Sequence, residues 1–274
     1  SQGAKSHLIR QHWDEFARVA LQSVDLSGEV LMKYQLGKAR SRNPVKLKGR
    51  NDLVTGADLE SCRVMKQHLK RFHPTHSFLA EEPEFSENNR SDFLWIIDPL
   101  DGTTFHNRGL PFFSSILALE VRGQTELGLV SSPFTGDVFL AGLGRGCTFW
   151  NRRLRKRRQV KVSGVTNLAD VLVGYSYGKS EQHARHMAAT LGGLFPMCRA
   201  IMRLGGAEIG YVPMGLVIAV AGTEPATVWV AGFHLVYKST DGAESFETIG
   251  NELPAELYSI AVDPYDTLHL VSGL

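Results

Sequence analysis

The sequence has little cysteine: three among 274 residues, Cys62, Cys147 and Cys198, an odd number without metal-type spacing. No disulfide framework follows, and a reducing compartment, most simply the cytoplasm, is expected. Long apolar runs are missing too. Stretches such as LVIAVA at 216–221 fall far short of the ~20 residues needed to cross hydrocarbon, so no membrane partner is expected. No basic-then-apolar leader stands at the start, which argues against a secretory signal. Aromatics are scarce at 9%, but 43% apolar residues exclude a mostly disordered chain. The length suits one large domain or two modest ones.

The net charge of +2 hides an asymmetry. Residues 217–274 hold one base, Lys238, against eight acids, a net −7 that leaves +9 on the first 216 residues. Such a break marks a change of module.

Helical spacing of Leu8, Phe16, Val19, Val24, Val30 and Leu31 predicts a long helix over 8–35. SRNPVKLKGRND (41–52) reads as a polar connection, and Asp58–Phe72 as a second amphipathic helix stopped by His73-Pro74. The continuous run FLWII (93–97) between Asp92 and Asp98-Pro99 predicts a strand buried on both faces. Three strand-like runs follow from 112 to 141, broken at RGQ and PFTG, as an antiparallel meander. Beyond 160, strands alternate with helices, which argues for a layered α/β or α+β domain.

The chemistry concentrates in WIIDPLDGTT (95–104). A buried strand delivers Asp98 at its carboxyl end, Pro99 forces a tight turn, and Asp101 follows three residues on. Gly102 lets the backbone approach a ligand, and the N–H groups of 102–104 can face an anion. Two hard carboxylates beside an oxyanion cradle is what Mg²⁺-assisted phosphoryl hydrolysis requires. A bare turn of this kind also reads as a helix cap. Two further acid clusters tilt the balance: Glu81-Glu82 after SFLA (77–80), and Asp52-Leu-Val-Thr55-Gly-Ala-Asp58 before the second helix.

Taken together, NDLVTGAD (51–58), HSFLAEE (76–82) and WIIDPLDGTT (95–104), in that order and spacing, resemble the inositol monophosphatase family, Mg²⁺-dependent and Li⁺-sensitive sugar phosphatases. GLVSSPFTGDVFLAGLGRGCTFWN (128–151) and MRLGGAE (202–208) resemble later family segments more loosely, so the likeness covers about residues 8–215. The resemblance implies a layered αβαβα sandwich, a homodimer, and a small phosphorylated polyol or sugar as substrate. It implies a first Mg²⁺ on Glu81, Asp98 and the Leu100 carbonyl, and a second on Asp98 and Asp101. Gly102, Thr103 and Thr104 would contact the phosphate, and Arg203 the substrate. Asp58 and Thr103 would polarise the water that Glu81 activates.

Two departures stand out. Where the family has Asn-Phe after DGTT, this chain has Phe105-His106. More severely, the family's Trp-Asp-x-Ala-Gly motif, whose Asp completes the second metal site, reads Val228-Trp229-Val230-Ala231-Gly232. A catalytically impaired phosphatase-like protein is therefore the alternative reading. The tail, 216–274, resembles a single Asp-box (BNR-type) propeller repeat, with Ser239-x-Asp241-x-Ala243-x-Ser245-Phe246 as the box. Propellers need about 4–8 blades, so the tail reads as a graft, a truncated interaction module, or a drifted family segment.

A last signal is the basic run Arg152, Arg153, Arg155, Lys156, Arg157 and Arg158 between two strands. Polyanion binding and a solvated hairpin tip both account for it. No nucleic-acid partner is expected from the sequence, because no aromatic platform or nucleic-acid motif accompanies the run.

Overall fold

In a computed structural model of the chain, the described residues are 9, 11–37, 44–49, 52–161, 165, 167–175 and 181–203, followed by strand backbone between 216 and 272. They divide into two compact units, the first built mainly from residues up to 159 and the second from residues after it.

The first unit opens with α1 (Trp13–Leu36), close to the expected 8–35; Leu8 lies outside the described residues. Its buried stripe of Phe16, Val19, Ala20, Val24 and Leu31 repeats at helical spacing. Asp14 and Glu15 in the first turn and Lys33 in the last complement the helix dipole. The segment read as a polar connection instead pairs β1 (Val45–Gly49) with β2 (Asp52–Thr55). Val45 and Leu47 alternate with Lys46 and Lys48, a period of two that the polar composition concealed.

Next comes α2 (Gly56–Phe72), which turns Cys62, Met65 and Leu69 inward and packs on α1. A seven-stranded sheet follows in chain order: β3 (Ser77–Ala80), β4 (Phe93–Asp101), β5 (Ser114–Val121), β6 (Gln124–Ser132), β7 (Asp137–Gly142), β8 (Gly146–Asn151) and β9 (Lys156–Val160). β3 and β4 pair in parallel; β5, β6 and β7 form the expected antiparallel meander, which β4 and β8 extend on either side. Both helices cover one face, and Phe78, Trp95, Ile97, Leu117, Leu119, Leu127 and Leu129 form the core beneath them. Each such side chain withdrawn from water contributes about 1.5–3 kcal/mol, so this layer anchors the end of β4.

One contact in that layer is tight. At Gly142 an added Cβ would stand 2.3 Å from the Trp13 ring. Gly142→Ala is therefore expected to lower stability by about 1–3 kcal/mol in urea denaturation, with Trp13→Leu restoring much of the loss in the double variant.

In the second unit β10 (Leu172–Tyr175) pairs in parallel with both β11 (Ala200–Met202) and β12 (Leu216–Ala221). An antiparallel ribbon of β13 (Val228–Ala231), β14 (Val236–Ser239) and β15 (Glu247–Ile249) extends this six-stranded sheet. One of the helices expected beyond 160 is α3 (Glu181–Leu194). β16 (Leu257–Val262) and β17 (Leu268–Ser272) pair separately. Of the Asp-box residues only Ser239 lies within the described residues. The class is a mixed α/β sandwich, with sheets of both strand senses flanked by helices.

Candidate active site

The site is assembled where β4 runs out. Opposite β5, Asp98 faces Ile116 and Asp101 faces Ser114, so the turn Pro99-Leu100 inserts one residue too many. This β-bulge interrupts the ladder and re-aims the side chains on either side of it. The Asp98 carboxylate accepts a hydrogen bond from the Leu100 N–H at 3.2 Å, closing the turn across Pro99. Two buried serines hold its other side. Ser27 Oγ of α1 and Ser115 Oγ of β5 reach the Pro99 carbonyl at 3.2 and 2.8 Å, and lie 2.7 Å from each other.

Gly102 follows at φ 90°, ψ 30°, a left-handed conformation open chiefly to glycine, and starts a single helical turn at Thr103–Asn107. Phe105 and His106 donate to the Gly102 carbonyl, so the turn's own bonding begins there. The N–H groups at its start are those that a helix leaves for other partners. Gly102→Ala should cost about 1–2 kcal/mol of stability by chemical denaturation, because alanine must adopt the same positive φ.

Asp58 is buried at the start of α2, where it closes a capping box with Thr55. Its carboxylate accepts from the Thr55 N–H at 2.8 Å and hydroxyl at 2.5 Å, and lies 3.0 Å from Thr103 Oγ1. The same hydroxyl is 3.1 Å from the Leu100 carbonyl. Burial pushes the Asp58 carboxyl up to about 6, opposed by its hydrogen bonds from Thr55 and Thr103. Glu81 is exposed just past β3, and its N–H is tied to the Ile97 carbonyl at 3.0 Å.

Asp98 lies between the other acids. Loss of solvation holds it well above the ordinary carboxylate range, reinforced by the charges of Asp101 and Glu81 and a hydrogen bond with Glu81. Asp58, Glu81, Asp98, Asp101 and Thr103 thus form one electrostatically linked group in the first unit. Arg203 is exposed directly after β11, in the second unit. Among the described residues no three His, Cys, Asp or Glu side chains stand together as a ready-made ligand set. The donor chemistry nevertheless fits a hard divalent cation. The donors are carboxyl and carbonyl oxygens, and the Asp98 and Glu81 carboxyl groups share a hydrogen bond that needs a proton on one of them in place of positive charge.

The departure at Phe105-His106 is absorbed locally. His106 is buried, with Nε2 2.9 Å from the Leu31 carbonyl and its ring edge-on to Phe113. Phe105 meets Phe112 edge to face. The capping role of Thr55 was legible as Thr-x-x-Asp, whereas Ser27 and Ser115 carry no signal in the sequence.

The fold is the mixed α/β sandwich seen in inositol monophosphatase and suhB structures. The sequence profile of the inositol monophosphatase family matches residues 12–229. The chain belongs to the inositol monophosphatase family. It is 32% identical to Nus factor SuhB of Vibrio cholerae over 181 residues, 62% of this chain and 66% of that protein. It is 31% identical to inositol-1-monophosphatase of Rhizobium meliloti over 207 residues, 72% of each. The chain thus spans about two thirds to three quarters of the length of these relatives. Among solved structures, the extragenic suppressor protein suhB of Bartonella henselae superposes with a TM-score of 0.65 at 27% identity, covering 74% of this chain and 78% of that one. A Thermotoga maritima IMPase gives 0.63 at 28% identity, covering 74% and 76%.

Proposed function

We propose that this chain is a Mg²⁺-dependent phosphomonoesterase acting on a small phosphorylated polyol or sugar. The observation that carries this reading is the bulge turn, which brings Asp98 and Asp101 to Glu81 with the Leu100 carbonyl alongside. Glu81, Asp98, Asp101 and the Leu100 carbonyl would hold Mg²⁺, which when bound supplies positive charge and a water acidic enough to attack phosphorus near neutral pH. Asp58 fixes the Thr103 hydroxyl beside that turn, so the pair orients the attacking water, with Glu81 accepting its proton. The backbone N–H groups of Gly102, Thr103 and Thr104 receive the phosphate oxygens. Nothing in this arrangement calls for a covalent enzyme intermediate.

Relatives carry two kinds of name, Nus factor and inositol-1-monophosphatase, and the acidic turn supports the second. A homodimer in the cytoplasm fits the family, and Leu36, Leu110 and Phe112 are exposed apolar side chains that such contact would cover. One observation favours a second reading, an impaired enzyme: Val230 stands where the family's third metal aspartate belongs. Phosphate release from a panel of phosphomonoesters decides between the two. Release that requires Mg²⁺ and is blocked by Li⁺ supports the first, and the preferred ester names the substrate. Mg²⁺ binding without turnover supports the second.

A further inference from the structure

The basic run of the sequence forms the last hairpin of the seven-stranded sheet. β8 and β9 are joined through residues 152–155, and β9 ends the strand order. On its own strand the run has no aromatic neighbour; folding brings them from β8. The Arg157 guanidinium lies over the Trp150 ring, 4.7 Å from its centre, and Arg158 over Phe149 at 5.7 Å. Gln159 Nε2 donates to Thr148 Oγ1 at 2.9 Å in the same register. Because neighbouring residues of a strand alternate in direction, one cation–ring pair occupies each face of the hairpin.

Residues 152–159 are exposed, and Leu154 at the tip is 66% exposed. Arg152 is paired with Asp25, whereas Arg155, Lys156 and Arg157 have no ion pair among the described residues. At the hairpin's root, Arg152 and Arg153 line an open groove of about 480 Å³ together with Gly28, Glu29, Met32 and Pro133.

We infer that this hairpin binds single-stranded nucleic acid, with RNA the natural probe. A guanidinium laid on a ring keeps one flat face for a base and its N–H edges for phosphate, and its supporting ring limits its freedom. Same-face side chains on β9 stand about 7 Å apart, a pitch suited to successive phosphates of an extended strand. The root groove has room for a base, and Glu29 offers an acceptor for an exocyclic amino group. An anionic membrane is the competing partner. It is disfavoured because the only apolar side chain at the tip is Leu154, and stable anchoring needs more than one weak insertion. This inference is independent of the phosphatase site, since none of its residues belongs to that site.

The test is fluorescence anisotropy of a labelled single-stranded RNA of about 12 nucleotides with the full chain, titrated at several KCl concentrations. The intact protein should bind with a log–log salt slope of roughly −3, as expected for about four phosphate contacts. The quadruple variant Arg155→Ala, Lys156→Ala, Arg157→Ala, Arg158→Ala should bind at least about tenfold more weakly, with a flatter slope. Trp150→Leu should weaken binding severalfold with the slope unchanged, because stacking is lost and charge is kept. Lys156→Glu, a single exposed change, serves if the quadruple variant does not fold, and should also flatten the slope. Circular dichroism and phosphate release should be unaltered in every variant retained. Undiminished RNA binding by the charge variants would overturn the inference. So would tighter binding to phosphatidylcholine–phosphatidylserine vesicles than to RNA at the same salt.

Discussion

Asp98→Asn should abolish Mg²⁺-dependent phosphate release, lowering it by at least about a hundredfold. Asparagine matches aspartate in shape, and its amide oxygen can still accept the Leu100 N–H that closes the bulge turn. The backbone therefore has no reason to rearrange. What disappears is the negative charge that Asp101 and Glu81 both face. Heating experiments separate this from a folding defect. Mg²⁺ should raise the melting temperature of the parent, because it binds the native state alone, and should raise that of the variant much less. Without Mg²⁺ the variant should melt no lower than the parent, since one of several crowded acids has been neutralised. A variant as active as the parent would refute the assignment of the turn.

The second large effect is on stability in acid. His73 and His76 stack on each other at 4.6 Å, with Phe16 against His73 at 4.9 Å and Phe93 against His76 at 4.5 Å. The Trp95 indole N–H donates to His76 Nδ1 at 3.1 Å, so that nitrogen must be unprotonated in the folded state. Burial, helped by the neighbouring His73, brings the His76 imidazole down to about 4, and burial lowers His73 as well. The unfolded chain therefore takes up the proton first. Stability is complete above the unfolded value near 6.5 and is lost progressively as the pH falls toward 4. Between pH 7 and 4.5 the loss from His76 should be about 2 kcal/mol, read from urea denaturation at the two pH values. His76→Gln keeps an acceptor for Trp95 without titrating. It should flatten the pH dependence; an unchanged slope would place the acid sensitivity elsewhere.

The two features differ in how far the sequence discloses them. Asp98-Pro-x-Asp101-Gly102 is a contiguous signal, with a buried strand before it and turn chemistry after it, so its place at a strand end was legible. The long helices and the meander were legible for a similar reason, since their periodicity is local. The serine pair on the Pro99 carbonyl joins residues 27 and 115 to residue 99, and neither serine stands out in its own neighbourhood. The histidine stack is likewise made by packing α1 and β4 against the segment between α2 and β3. The pairing of 45–49 with 52–55 was hidden because lysines alternate with the apolar residues of the first strand and make its composition polar. In the basic run the charges were visible, but the rings beneath them came from the facing strand, and pairing register is a property of the sheet.

The bulge in β4 has a consequence for how this site can change. It counts one residue more than its partner strand, and before it buried and half-buried side chains alternate from Leu94 to Asp98. Removing Pro99 or Leu100 would let the ladder close regularly. The sheet would gain pairing, but the turn that the Leu100 N–H closes onto Asp98 across Pro99 would be lost. Adding a residue would exchange inward and outward side chains for the rest of the strand. The spacing between Asp98 and Asp101 is therefore guarded by chain length as strictly as by residue type, and variation here is confined to substitution.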